Sequence, residues 1–308
     1  MAAIPFVKDI SFEYGRADRL SPLIRRVICN NPGPFTFTGS GTYIIGRDAG
    51  PLAVIDPGPM NEAHLGALVA AIGGAPVSDI LITHTHSDHC GGARRFADCV
   101  GAPIRGAGPH PVREKNLDAP ALDEGADYAF MPDFRLGDAQ KIAGEGWTIE
   151  AVSTPGHLSN HLCFALAEEQ ALFTGDHIMG WATSVVAPPD GDMGAYLESL
   201  DRLLTREDRI YYPTHGAPIL KPRAFVRAVR THRRIRDGQI LDQLKKGRTR
   251  IKEITAAIYA DIDKRLHGAA ALNVFAHLIR LVGTGAVSCD GEPAMGSEYR
   301  LAELGPAA

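Results

Sequence analysis

Paired cysteine is the first thing this sequence lacks. Its five cysteines, Cys29, Cys90, Cys99, Cys163 and Cys289, are odd in number, scattered and without a CxxC spacing. That argues against a disulfide framework and fits a reducing compartment. No apolar run is long enough to span a bilayer. The opening MAAIPFVKDISFEYG has no basic stretch followed by a long apolar one, so no secretory signal is expected. The expected address is cytoplasmic, with no membrane partner. GTGAVSCDG holds glycines but no lysine, and it lacks the strand–loop–helix setting of a phosphate-binding loop. No Ser-His-Asp signature, internal repeat or low-complexity segment is found. A net charge of -4 does not mark the chain as a whole as a nucleic-acid binder.

What is present begins with bulk. The 308 residues are 45% apolar, ample for a buried core in one large or two smaller domains. Charge is unevenly spread: residues 223–308 hold 15 Lys+Arg against 9 Asp+Glu, and residues 1–222 hold 17 against 27. A basic C-terminal part therefore follows an acidic body. Within the body, GTYIIG and PLAVID read as strands around the turn RDAGP. NEAHLGALVAAIGG has helical spacing and a Gly-Gly stop. VSDILITH, WTIEAVSTPGH, HLCFALAEE, QALFTGDH and RIYYPTHG read as strands, and GAYLESLDRLLTR as a helix. The pattern is mixed α/β with hairpins. At Lys221-Pro222 the texture changes to a long helix over about 223–246, two further helical segments and a hairpin-like tail. Helix, helix, helix and hairpin is the order of a winged helix. The expected division is a catalytic domain over 1–222 and a winged-helix-like domain over 223–308.

The stretch THTHSDH, residues 83–89, packs three histidines and an aspartate into six residues at the end of an apolar run. Imidazole and carboxylate suit zinc. His84 and His86, two apart on extended backbone, share a side. Asp88 and His89 follow a turn and can face a second ion. His157 in STPGHLSNH, Asp176 in LFTGDH and His215 in YPTHG each follow a strand beside small residues, where scaffolds hold functional groups. Singly, each reads as a surface or turn residue; as a set they do not. His161 and His177 adjoin the set as candidates to support the ligands. His64, His110, His232, His267 and His277 read as ordinary core or surface histidines.

HxHxDH followed by single His, Asp and His resembles the metallo-β-lactamase superfamily. The resemblance implies an αββα sandwich with a two-metal site at one edge. It assigns His84, His86 and His157 to one ion, Asp88, His89 and His215 to the other, and Asp176 to both. Asp56 in VIDPGP matches the family's early aspartate, which supports the ligand loop. NPGPFTFTGSGTYIIG, TPGHLSNH, TGDHIMG and YPTHGAPI, with RDGQILDQL, EITAAIYAD and NVFAHLIRLVGTGAV, resemble the lactamase-beta-like branch. That branch carries a C-terminal winged helix, and its mitochondrial member is a single-strand endoribonuclease. Thr214 in PTHG is a departure, because the branch often has glycine there.

The implied cofactors are two zinc ions, with manganese or iron as alternatives, and the implied activity is metal-dependent hydrolysis by a metal-bound hydroxide. Asp88 is the carboxylate best placed to orient the nucleophile. Phosphodiester and acyl substrates use nearly the same metal chemistry. The leading expectation is an endonuclease-like phosphodiesterase acting on single-stranded RNA. The alternative is a hydrolase of a small ester, thioester or lactone, a β-lactam included. A third reading is a nucleic-acid-binding regulator on a metal fold. Trp181 could stack on a base or cover an acyl chain. Arg223, Arg227, Arg230 and Arg234 form a single helical stripe that could clamp phosphates or be a solvated face. HGAAALNVFAHLIRLV, in the recognition position, has Arg280 as its only arginine and is a poor reader of base edges. The oligomeric state is open, a homodimer included.

Overall fold

The computed structural model describes residues 4–111, 125–261 and 266–302. The chain order is β1 (Ala17–Arg19), β2 (Ile24–Ile28), β3 (Gly41–Ile45), β4 (Leu52–Ile55), α1 (Glu62–Ile72), β5 (Val77–Leu81), α2 (Ser87–Cys90), α3 (Ala93–Val100), β6 (Ile104–Gly106) and β7 (Phe134–Arg135). These strands form one seven-stranded sheet in sequence order. Next come β8 (Lys141–Gly144), β9 (Trp147–Ser153), β10 (Leu162–Leu166), β11 (Ala171–Gly175), α4 (Met193–Leu204) and β12 (Ile210–Pro213). They make a five-stranded sheet ordered β12-β11-β10-β9-β8.

Both faces of these sheets are covered, which explains why the strands read as short continuous apolar runs. In β3, Tyr43 and Ile45 point into the core between the sheets, while Ile44 points to the other face. In β4, Ala53 and Ile55 point inward, and Leu52 and Val54 outward. The two-residue period of a strand thus feeds two cores at once. Ile149, Ala151, Phe164 and Phe173 meet the first sheet from the second. The outer face of the first sheet is covered by Leu65 and Leu68 of α1 and Phe96 of α3. The outer face of the second is covered by Tyr196 and Leu200 of α4. The result is the expected αββα sandwich. Local signals fix the helix ends. Asn61 caps α1 by accepting the His64 N–H, Gly73 closes it at φ 60°, and Asp192 caps α4 by accepting the Ala195 N–H.

The remaining elements are α5 (Pro222–Lys245), α6 (Ile251–Ile258), α7 (His267–Gly283) and the hairpin β13 (Val287–Cys289) with β14 (Tyr299–Leu301). This is the winged-helix order. α5 serves two cores. Phe225, Val226 and Val229 pack onto the second sheet's outer layer. Ile240 and Leu244 pack with Ile254, Phe275, Leu278 and Tyr299 of the C-terminal unit. Among the described residues no helix is long and apolar enough to cross a membrane.

Candidate metal centre

β4, β5, β9, β11 and β12 end at one edge of the sandwich, and a singled-out residue follows each: Asp56, the 83–89 loop, His157, Asp176 and His215. The structure brings all seven predicted ligands together. The nearest nitrogens of His84, His86 and His157 converge, as do the ligand atoms of Asp88, His89 and His215, and those of His84, His89 and Asp176. His86 Nδ1 lies 3.0 Å from His84 Nε2 and 3.1 Å from His157 Nε2. Asp176 faces both groups, with one oxygen 3.5 Å from His89 Nε2 and 3.4 Å from His215 Nε2, and the other 4.0 Å from His157 Nε2.

Partners behind each ring decide which nitrogen faces the centre. Thr83 Oγ1 donates to Asp56 Oδ2 at 2.6 Å, so it accepts from His84 Nδ1 at 3.0 Å. His89 Nδ1 donates to Asp56 at 2.8 Å, His157 Nδ1 to the Val185 carbonyl at 2.6 Å, and His215 Nδ1 to the Gly39 carbonyl at 3.2 Å. With Nδ1 carrying the proton, Nε2 of all four rings presents a lone pair inward. Inward lone pairs at such spacing repel one another unless a cation lies among them. His89 Nε2 and Asp176 Oδ1 are buried and have no hydrogen-bond partner, an expensive state that a metal would relieve. The donor set, imidazole nitrogen with carboxylate oxygen, therefore fits two divalent ions.

The electrostatics agree. Burial and the neighbouring imidazoles hold His84 well below the usual histidine range, and burial followed by His86 pulls His157 to about 4. Both are neutral ligands near pH 7. For Asp88 and Asp176 burial acts upward, but His89 and His215 outweigh it and keep both carboxyls far below the ordinary carboxylate range. Burial acts downward on His89 and His215, yet the aspartates raise both.

Asp56 lies behind the ligand loop, in contact with Thr83 and His89. At φ 48° it sits in the left-handed region, tolerable for aspartate but uncommon. It accepts from the Thr83 N–H at 2.8 Å. Thr214, the departure from the family pattern, donates its hydroxyl to Asp56 at 3.4 Å. His161 accepts the Asp176 N–H at Nε2 and donates from Nδ1 to Thr154, so it props the backbone of the shared carboxylate. Gly175 before it is at φ 48°, and a Cβ there would lie 2.7 Å from His161 Nε2; only glycine fits. His177 is different. Neither ring nitrogen has a hydrogen-bond partner, and the ring packs on Tyr196 with centroids 4.6 Å apart.

Trp181 is half-buried and stacks on Phe37, with centroids 4.9 Å apart and planes 11° from parallel. Both rings border the His215 turn. The Gly180 N–H donates to the His215 carbonyl, and Gly39, two residues after Phe37, accepts from His215 Nδ1. The arginine stripe is not uniform. Arg223, Arg227 and Arg234 are exposed, whereas Arg230 is held by Asp201 at 2.5 Å. Sequence reasoning missed Thr83, Thr154, Phe37 and Ser40, whose hydroxyl donates to Asp88 Oδ2 at 3.1 Å. Thr83 alone had a signal, lying between strand and first ligand. The carbonyls of Gly39 and Val185 carry no side-chain mark at all.

Residues 36–215 match the family model described as the metallo-beta-lactamase superfamily, and residues 251–295 match that of the beta-lactamase associated winged helix domain. A beta-lactamase-like protein 2 homolog of Caenorhabditis elegans is 32% identical over 88% of this chain and 88% of its own. An atrochrysone carboxyl ACP thioesterase of Claviceps purpurea is 31% identical over 82% of this chain and 74% of its own. The crystal structure of a beta-lactamase domain protein from Burkholderia ambifaria superposes with a TM-score of 0.77 at 19% identity, covering 96% of each chain.

Proposed function

The chain belongs to the metallo-beta-lactamase superfamily and is a metal-dependent hydrolase, and from that premise we propose that it cleaves a small acyl thioester or ester. The observation that carries this reading is the stacked pair of Phe37 and Trp181 beside the His215 turn. An apolar wall next to the ligands suits an acyl group. A phosphodiester would want cations there. The groups that most perturb Asp88, Asp176, His89 and His215 are histidines and aspartates, with no lysine or arginine among them. Of the arginine stripe that could clamp phosphates, Arg230 is committed to Asp201. A relative named as a thioesterase covers most of the chain, which supports the same choice.

Mechanistically, His84, His86 and His157 would hold one ion, Asp88, His89 and His215 the second, and Asp176 would face both. Zinc is the proposed metal. Bound there, the ions supply Lewis-acid polarisation of a carbonyl and a nucleophilic water at neutral pH. The protein's own groups do the rest. Asp88 is the more open of the two aspartates, with its side chain 25% exposed against 12% for Asp176. Ser40, whose hydroxyl donates to Asp88 Oδ2 at 3.1 Å, fixes the direction of the carboxylate. Asp88 orients the attacking water by accepting a hydrogen bond from it, and the proton lost as the oxygen–carbon bond forms passes to the departing thiolate or alkoxide. Asp56, by holding His89 and Thr83, keeps the ligand loop rigid.

Parallel assays of zinc-loaded protein on acyl thioesters, simple esters, lactones, a β-lactam and single-stranded RNA test the reading. Thioester or ester turnover is expected. Cleavage of RNA at low salt with no acyl turnover would overturn it in favour of the phosphodiesterase.

A further inference from the structure

Arg233 is fully buried in the middle of α5. Among the described residues no carboxylate pairs with it. Its guanidinium donates to the Ser184 carbonyl at 2.5 Å and to Asn273 Oδ1 of α7 at 3.3 Å. It also lies over the Tyr196 ring, 5.0 Å from the centroid, and its Nε has no partner. A buried cation without a counter-ion is costly, and an apolar side chain of similar volume often serves stability equally well or better. α5 nevertheless spends a core position on it, in phase with Val226, Val229, Ile240 and Leu244.

The next carbonyl along from Ser184 is that of Val185, which accepts from His157 Nδ1 at 2.6 Å. One buried peptide therefore has Arg233 on one side and a candidate ligand just beyond it. We infer that Arg233 is a positioning residue for His157: by fixing the Ser184 carbonyl it holds the Val185 carbonyl that sets the ring's tautomer and direction. The inference rests on the reading of His157 as a ligand. Partners that orient a ligand in this way typically tune metal affinity. The same contact ties the C-terminal helices to the metal centre, because Asn273 steadies the guanidinium from α7.

Zinc titration of metal-stripped full-length protein against a chromophoric chelator tests this. Arg233→Met removes the charge and keeps much of the volume. It should weaken one of the two binding events about 10- to 100-fold and leave the other unchanged. The visible spectrum of the cobalt-loaded protein should change with it. Arg233→Lys, which can still reach one carbonyl, should restore most of the loss. Asn273→Ala keeps the charge but frees its orientation, and should give the same one-site weakening to a smaller degree; it carries the test if Arg233→Met does not fold. Ile254→Ala, a cavity in the C-terminal core, is the control for lost stability alone. Two wild-type binding events in Arg233→Met and in Asn273→Ala would overturn the proposal. So would equal weakening of both events shared with Ile254→Ala. His157→Ala separates the premise: if it leaves both events intact, the ligand assignment has failed rather than the role of Arg233.

Discussion

The Asp56 carboxylate accepts from Thr83 N, Thr83 Oγ1 and His89 Nδ1 at 2.8, 2.6 and 2.8 Å. Every one of these neighbours is a donor, so an amide would turn its own donor toward another. Asp56→Asn should lower zinc affinity about 10- to 100-fold, chiefly at the site that includes His89. Competitive zinc titration measures it, and wild-type affinity would remove Asp56 from its supporting role. His64 gives a pH prediction independent of the ligands. Burial lowers it from 6.5 to about 4. The unfolded chain takes up this proton near pH 6.5 and the folded chain does not until about pH 4. Stability is thus whole above pH 6.5 and lost as pH falls toward 4, by up to about 1.4 kcal/mol per pH unit. Urea midpoints at pH 7 and pH 5 should differ less in His64→Gln, which keeps a donor for Thr42. At this scale the residues that the structure gathers into one cluster were legible because each is an unusual residue at a strand end. The groups behind them were not, since a hydroxyl or a carbonyl looks the same wherever it points.

At the scale of elements, β2 went unread. Its sequence IRRVI sets two arginines among apolar residues, yet all five are buried. Arg25 donates to the Ala71 carbonyl at 2.7 Å, and Arg26 reaches Asp18 at 3.5 Å. Charge hid a strand whose stems still pack. α5 misled in the opposite sense. Arg223, Arg227, Arg230 and Arg234 share a helical face, but Arg233, one residue away, falls on the buried face with Val226 and Val229. That phase was visible in the sequence; a search for basic stripes passes over it. Replacing the four stripe arginines with Gln should leave turnover of a small thioester within about twofold. The fold should lose no more than about 1 kcal/mol, from the Arg230–Asp201 pair. A large drop in turnover would return the stripe to substrate binding. The loops make the complementary prediction. Trp181→Ala should raise KM for an acyl thioester several-fold and change kcat little, as expected when binding shared by ground and transition states is removed. A fall in kcat alone would instead place the indole at the reacting atoms.

For the whole molecule, the family pattern made the sandwich, the site edge and the C-terminal helices legible in advance. The sharing of α5 between two cores was not, because nothing in one helix says which neighbours its two ends will meet. A chain ending at residue 222 would lack Phe225, Val226 and Val229, all buried against the second sheet's outer layer. Large-to-small losses in a core cost about 2–5 kcal/mol each, against a net stability of about 5–15 kcal/mol. The shortened chain should show no cooperative thermal transition, while the full chain does. A sharp transition in the fragment would mean that the sandwich closes without α5.

That outer layer also includes Ala276 of α7, which gives assembly an order in time. The ribosome has made His215, the last of the candidate ligands, well before it reaches residue 276. Domains generally fold as units during synthesis, and incomplete ones expose apolar surface. The nascent chain therefore carries all seven candidate ligands while one face of the second sheet still waits for its cover. Arg233 emerges within that interval, before its partner Asn273. A shortage of the metal and chaperone demand should thus be felt at the same stage of elongation.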